Sequence, residues 1–159
     1  MPVIVRSALA SDAPALAVLN DHVHTLHLAA RPDFFRPTSP EEAMPWFASH
    51  AEGSVSRAWI AEDEGGPVGY VLVFFHERAI RPFTHARRWC EIDQVAVAPE
   101  SRRRGTARAL IDAALTEARR RGIHEIELTT WAFNAEAQAA FRRLGFAPRL
   151  IRFERMLPA

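Results

Sequence analysis

Apolar positions recur along this chain at two spacings. Leu16, Leu19, Val23, Leu26 and Ala30 follow at steps of three and four residues, which puts them on one helix face. Ser11 or Asp12 caps that helix, Pro14 sits in its first turn, and Arg31-Pro32 closes it. Ser39-Pro40-Glu41-Glu42 is a capping box that predicts a second helix to about His50. The β-branched run Val3-Ile4-Val5 predicts a first strand. Arg57 to Asp63 and Gly69 to His76 read as a hairpin across the turn Glu64-Gly65-Gly66-Pro67. Arg78 to Arg88 is a basic loop, and Trp89 to Ala98 is the next strand, ended by Pro99.

Gly105 to Arg121 has a helical period with Leu110, Ile111, Ala114, Leu115 and Ala118 on its buried face, and Gly122 stops it. Ile123 to Trp131 predicts a strand, Asn134 to Leu144 a helix stopped by Gly145, and the alternation from Leu150 to Met156 a last strand. The strand–helix–strand unit from Trp89 to Trp131 requires a parallel pair, because a crossover helix joins its strands. The remaining connections are hairpin-like. The expected fold is therefore α+β: a mixed, mostly antiparallel sheet with one parallel pair, flanked by about four helices.

The 159 residues fit a single domain spanning 1–159. A net charge of +1 argues against a nucleic-acid-binding protein. No long uncharged apolar run is present, so no membrane span is expected, and Met1 to Arg6 lacks a signal-peptide pattern. Cys90 is the only cysteine, which excludes an intramolecular disulfide and makes a cytoplasmic location the expectation.

The segment from Val97 to Ala107 carries the clearest chemistry. It joins a strand to a helix start, where unpaired backbone N–H groups and the positive dipole end favour an anion. Gly105 and Ala107 are small enough for a diphosphate to approach the backbone, and Arg102, Arg103 and Arg104 add positive charge. The residues on their own fit either a bound diphosphate or a solvated basic turn. The pattern Arg102-x-x-Gly105-x-Ala107, preceded by Val97-x-Pro99, resembles the coenzyme A signature of the GNAT N-acetyltransferase superfamily. Asn134-x-x-Ala137-x-x-x-Phe141-x-x-x-Gly145-Phe146 resembles its second conserved block.

The resemblance implies an enzyme that moves an acetyl group from acetyl-coenzyme A, as cosubstrate, to a primary amine. It needs no metal, and its acceptor is a small molecule or a peptide. Homodimers are common in the superfamily. The backbone of Val95, Ala96 and Val97 would pair with the pantetheine arm. Within the cofactor-binding segment Arg102 to Arg108, the amides of Arg103, Arg104, Gly105, Thr106 and Ala107 would hold the pyrophosphate. Asn134 would bond the pantetheine or nearby backbone, Phe141 would border the cofactor, and the parallel pair would splay to admit it.

Acyl transfer to an amine needs a base, a polarised carbonyl and a departing thiolate. Asp93 and Glu91, two apart on the cofactor strand, are the base candidates, since both would face one side of a regular strand. Asp93 also fits a carboxylate paired with Arg87 or Arg88. Many superfamily members have Tyr where this chain has Phe141, which cannot donate a proton. Tyr70, the only tyrosine, is the substitute acid candidate, and Cys90 is not placed as a nucleophile. The rival reading is an acyl-coenzyme A-binding regulatory domain without turnover. His22, His24 and His27 do not share one helix face, so they make no metal site. Arg81, Arg87 and Arg88 fit either attraction of an anionic acceptor or a solvated loop.

Overall fold

The computed structural model describes residues 2–159. The chain divides into two compact units, one ending at Thr129 and one running from Thr130 to Ala159. The first contains β1 (Ile4–Ser7), α1 (Ala13–Ala30), α2 (Pro40–His50), β2 (Ser56–Asp63), β3 (Gly66–Arg78), β4 (Arg87–Val97), α3 (Thr106–Arg120) and β5 (Glu125–Leu128). The second contains α4 (Ala135–Arg143). The strands form one sheet in the order β1-β2-β3-β4-β5, antiparallel except for the parallel pair β4–β5. This is the mixed sheet that the crossover argument requires, with α3 as the crossover.

Local chemistry sets the helix starts. Ser39 Oγ accepts from the Glu42 N–H at 3.2 Å, and Glu42 Oε2 accepts from the Ser39 N–H at 2.9 Å, completing the capping box of α2. Arg6 holds α1 to the sheet by gripping Asp12 at 2.8 and 2.9 Å and Glu62 at 2.7 and 3.1 Å. Alternation along the strands then divides the core. Ala58, Ile60, Tyr70, Leu72 and Ala96 pack with Leu16 and Leu19 of α1 and Phe47 of α2. Against the other face lies α3, which packs on β2, β3 and β4 through buried Leu110, Ile111, Ala114 and Ala118. Gly69 permits that approach: a Cβ there would stand 2.9 Å from the Ala96 carbonyl oxygen and 3.2 Å from Leu110.

Two expected strands differ from the alternation. β5 covers Glu125–Leu128, not Ile123 to Trp131. Residues 147–159 form no strand, and Leu150, Ile151, Phe153 and Met156 are exposed. Alternation gives a segment two faces but supplies no hydrogen-bonding edge, and an extended segment without a ladder partner is not a strand. In the other direction, β3 and β4 run two residues past the expected ends, so the basic loop shrinks to residues 79–86, closed by an Arg81–Thr84 bridge. No helix among the described residues is long and apolar enough to cross a membrane.

The end of α3 is fixed by a nearly buried carboxylate. Glu117 accepts from Arg120 at 2.8 Å through both oxygens, from Arg121 at 2.8 Å and from Arg57 of β2 at 3.3 Å. The Arg120 bonds, followed by those from Arg121, lower the Glu117 carboxyl to about 2. The unfolded chain then binds the proton more readily than the folded one between pH about 4.5 and about 2, so stability rises with pH across that window. The effect is at most about 3 kcal/mol and is reduced because Arg120 is largely in solvent. Urea unfolding should therefore show stability falling as pH drops from about 4.5 to 2. Glu117→Gln should flatten part of that limb, and an unchanged limb would exclude this role.

Candidate active site

β4 is irregular at the position that matters most. Its register with β3 runs Leu72↔Gln94 and then Val73↔Ile92, leaving Asp93 as an extra, unpaired residue. This is a β-bulge, which bends a strand and re-aims its side chains. The regular-strand geometry expected for Glu91 and Asp93 is thus replaced by a kink, yet the two carboxylates remain neighbours. Burial, and then the Glu91 charge, push the Asp93 carboxyl above the usual carboxylate range, with His50 and His76 opposing the rise. Asp93 keeps an exposed side, so solvent reaches the group while surrounding protein still penalises its charge. Glu91 accepts a 2.6 Å hydrogen bond from His76 Nε2.

The next residue ties the bulge to the interior. Gln94 Oε1 accepts from the Tyr70 hydroxyl at 2.7 Å, and from Asn20 Nδ2 of α1 at 3.3 Å. The same Asn20 amide donates to Tyr70 Oη at 2.9 Å. Tyr70 is fully buried, and burial pushes its phenol far above its ordinary range. Its proton is held by Gln94 in the interior. The structure therefore turns the substitute-acid expectation for Tyr70 into a positioning role: a strut between β3, α1 and the bulge.

Beyond the bulge, β4 has one bare edge. Pairing with β5 stops at Ile92↔Leu128, whereas β4 continues through Val95, Ala96 and Val97. Along that stretch, among the described residues, the sheet partner lies only on the β3 side. A short turn, Pro99–Ser101, then leads to Arg102, whose Nε donates to the Val97 carbonyl at 3.2 Å. Arg103 and Gly105 both have positive φ, 61° and 83°. The left-handed Gly105 precedes Thr106 and Ala107, the first residues of α3, whose N–H groups lie before the first intrahelical bond. Thr106 Oγ1 donates to the Ser101 carbonyl at 3.3 Å and fastens the loop. Arg104 and Arg108 flank this turn. A bare strand edge thus runs directly into a helix N-terminus, an arrangement suited to an extended amide chain ending in a diphosphate.

A family model for the acetyltransferase (GNAT) family matches residues 20–146. The chain belongs to that family. It is 35% identical over 115 residues to mycothiol acetyltransferase of Pseudarthrobacter chlorophenolicus, covering 63% of this chain and 35% of that protein, so it spans about a third of the relative's length. Among solved structures it resembles a mutant BH1408 protein from Bacillus halodurans, with a TM-score of 0.92 at 25% identity over 98% of this chain and 99% of that one. It also shares the fold of AAC(6')-Iy in complex with the bisubstrate analogue CoA-S-monomethyl-acetylneamine, with a TM-score of 0.75 at 18% identity, covering 99% of this chain and 100% of that one.

The family's second block lies in the second unit. Asn134 caps α4, its Oδ1 accepting from the Ala137 N–H at 3.1 Å. Phe141 meets Phe146 edge-on at 6.1 Å between centroids. In this GNAT domain Cys90 is fully buried, and burial pushes its thiol up to about 12, so it stays protonated near neutral pH. Arg87 is held by Glu125 at 2.5 Å and Glu127 at 2.7 Å, so it is not free to attract an anion. His24 bonds the Arg36 carbonyl at 2.9 Å, while His27 stacks on Phe35. A broad depression of about 460 Å³ with Arg88, Arg120 and Arg121 lies where β4 begins, at the opposite end from the loop, and Glu117 already engages two of those arginines.

Sequence reading missed four residues: Asn20, Gln94, His50 and His76. Asn20 and Gln94 look like ordinary polar positions until the fold brings both to the Tyr70 hydroxyl. The strut makes a measurable prediction. Tyr70→Phe removes the shorter of the two donors to Gln94 and should lower unfolding free energy by about 1–2 kcal/mol. Denaturant titration checks this, and no loss would show that the strut carries no load.

Proposed function

We propose that this chain is an N-acetyltransferase that moves an acetyl group from acetyl-coenzyme A directly to a primary amine held beside Asp93. The observation that carries the reading is the continuity of three features: the Asp93 bulge, the bare edge from Val95 to Val97, and the helix start at Gly105–Ala107. Bound there, acetyl-coenzyme A supplies the activated acyl group.

The chain's own residues do the rest. Backbone groups of Val95, Ala96 and Val97 pair with the amide arm as an added strand would. The N–H groups from Arg103 to Ala107 receive the diphosphate, with the charges of Arg102, Arg104 and Arg108 around them. Asn134 and Phe141, in the second unit, match the family's second block. A backbone N–H near Val95 polarises the acyl carbonyl. Asp93 takes the amine's proton, directly or through a water, and its raised pKa makes it a stronger base than a free carboxylate. Glu91, already bonded by His76, is a supporting charge. A C–N bond forms as the C–S bond breaks. The departing thiolate needs no strong acid, because an ordinary thiol has a pKa of about 8.5. Buried Cys90 supports direct transfer over an acyl-enzyme.

A second reading, an acyl-coenzyme A-binding domain without turnover, is favoured by Phe141 and by the burial of Tyr70. Thiol release from acetyl-coenzyme A over a panel of amines separates the two: release above background supports transfer, and none on any amine supports the binding domain. Asp93→Asn should cut turnover at neutral pH by tenfold or more while leaving coenzyme A affinity unchanged. The sign for stability is opposite to that of a structural salt bridge. The folded pKa of Asp93 is raised, so its ionisation opposes folding as pH rises through the carboxylate range, and Asp93→Asn should be as stable as the parent or more so. An unchanged rate would remove Asp93 as the base.

A further inference from the structure

A row of rings runs beside the two carboxylates. Trp46 stacks on His50 at 4.4 Å between centroids, both on α2. His50 meets Phe74 of β3 at 5.5 Å, Phe74 meets His76 at 6.2 Å, and His76 stacks on Trp89 of β4 at 4.8 Å. The Arg87 guanidinium closes the far end, 4.4 Å from the Trp89 ring centre. The row is not core: Trp46 is 39% exposed and the other rings are half-buried. His50 and His76 both act electrostatically on Asp93, so the row borders that carboxyl.

Apart from the neutral indole N–H groups of Trp46 and Trp89, the polar atoms that the row leaves open are acceptors. The His50 Nδ1 lies 2.7 Å from the Trp46 carbonyl, which can only accept, so Nδ1 carries the proton and Nε2 keeps a lone pair in the neutral ring. Ser49 agrees with this tautomer: its hydroxyl donates to the same carbonyl at 2.8 Å, leaving Oγ to accept from Nδ1 at 3.0 Å. His76 Nε2 donates to Glu91 and is therefore occupied. Arg87, the cation at the end of the row, is engaged by Glu125 and Glu127. What remains for a charged group of a ligand is acceptors and π faces: the Asp93 carboxylate, the second Glu91 oxygen, the Nε2 lone pair and the ring surfaces.

Resting on the transferase reading above, we propose that the acceptor is a cationic arylalkyl amine that carries no carboxylate. Its ammonium meets Asp93 and Glu91, and its planar apolar body lies along Trp46, His50 and Phe74. Carboxylates and rings both attract a cation, the rings through their quadrupole. They repel a carboxylate, so an amino acid with the same side chain is excluded by charge. Rings that brace one another lose little freedom when a flat ligand docks, which favours an aromatic body over a polyhydroxylated sugar.

Calorimetric titration of the protein saturated with coenzyme A tests this with tryptamine, tryptophan and glucosamine. Tryptamine should bind at least tenfold more tightly than either of the others. Trp46→Leu should weaken tryptamine several-fold with coenzyme A affinity unchanged, which also shows that the variant is folded. Glu91→Gln should narrow the gap between tryptamine and tryptophan. Equal or tighter binding of tryptophan or glucosamine, or no binding of tryptamine, overturns the proposal. The two readings fail separately. Tryptamine that binds selectively without thiol release sinks transfer alone, and thiol release confined to tryptophan or glucosamine sinks the acceptor class alone.

Discussion

A strand inside a sheet has two hydrogen-bonding edges, and β4 uses the second for only part of its length. From Trp89 to Ile92 it is paired on both sides; beyond that point β3 alone holds it among the described residues. The bulge at Asp93 falls at the same place. Local twist from a bulge and loss of a neighbour are linked physically, because an extra residue re-aims one strand relative to the next. The rest of the site follows from that break. It leaves Val95 to Val97 without a β5 partner, directs that edge at the start of α3, and leaves Asp93 beside Glu91 and the rings of α2 and β3. Unpaired backbone groups are costly when buried, so the fold keeps this edge only where a ligand or solvent can satisfy it.

The interior is arranged to hold the break in place. Gln94 pairs with Leu72 and lies two residues before Ala96, so it faces the same core as Tyr70, and Tyr70 and Asn20 both donate to its oxygen. A partly buried, mutually bonded polar trio fixes geometry more than it adds stability. In the same way, Glu117 anchors the end of α3 to β2, while the N-terminus of α3 is shaped by Gly105. One end of the crossover helix is thus tied by charge, and the other is left open for an anion.

Much of this was legible in the chain. The helical periods of Leu16 to Ala30 and of Leu110 to Ala118, the capping box at Ser39 and the parallel crossover all depend on local spacing, and they folded as read. The glycine and arginines from Arg102 to Gly105 marked the helix start for the same reason. What stayed hidden depends on pairing. No local signal marks Asp93 as the extra residue, because a bulge exists only relative to β3. The buried fate of Tyr70 follows from Leu16, Leu19 and Phe47 of α1 and α2 covering its face of the sheet, which local spacing does not show. Leu150 to Met156 erred the other way: its alternation looked like a strand, but a strand also needs an edge to pair with.

The most direct test of the central claim is residue-specific. Backbone amide resonances of labelled protein can be followed as coenzyme A is titrated in. The account predicts that the largest shifts fall at Val95 to Val97 and at Arg103 to Ala107, with the amides around Arg88, Arg120 and Arg121 little changed. Shifts concentrated at that second arginine cluster, or no saturable shift anywhere along β4 and the start of α3, would contradict it.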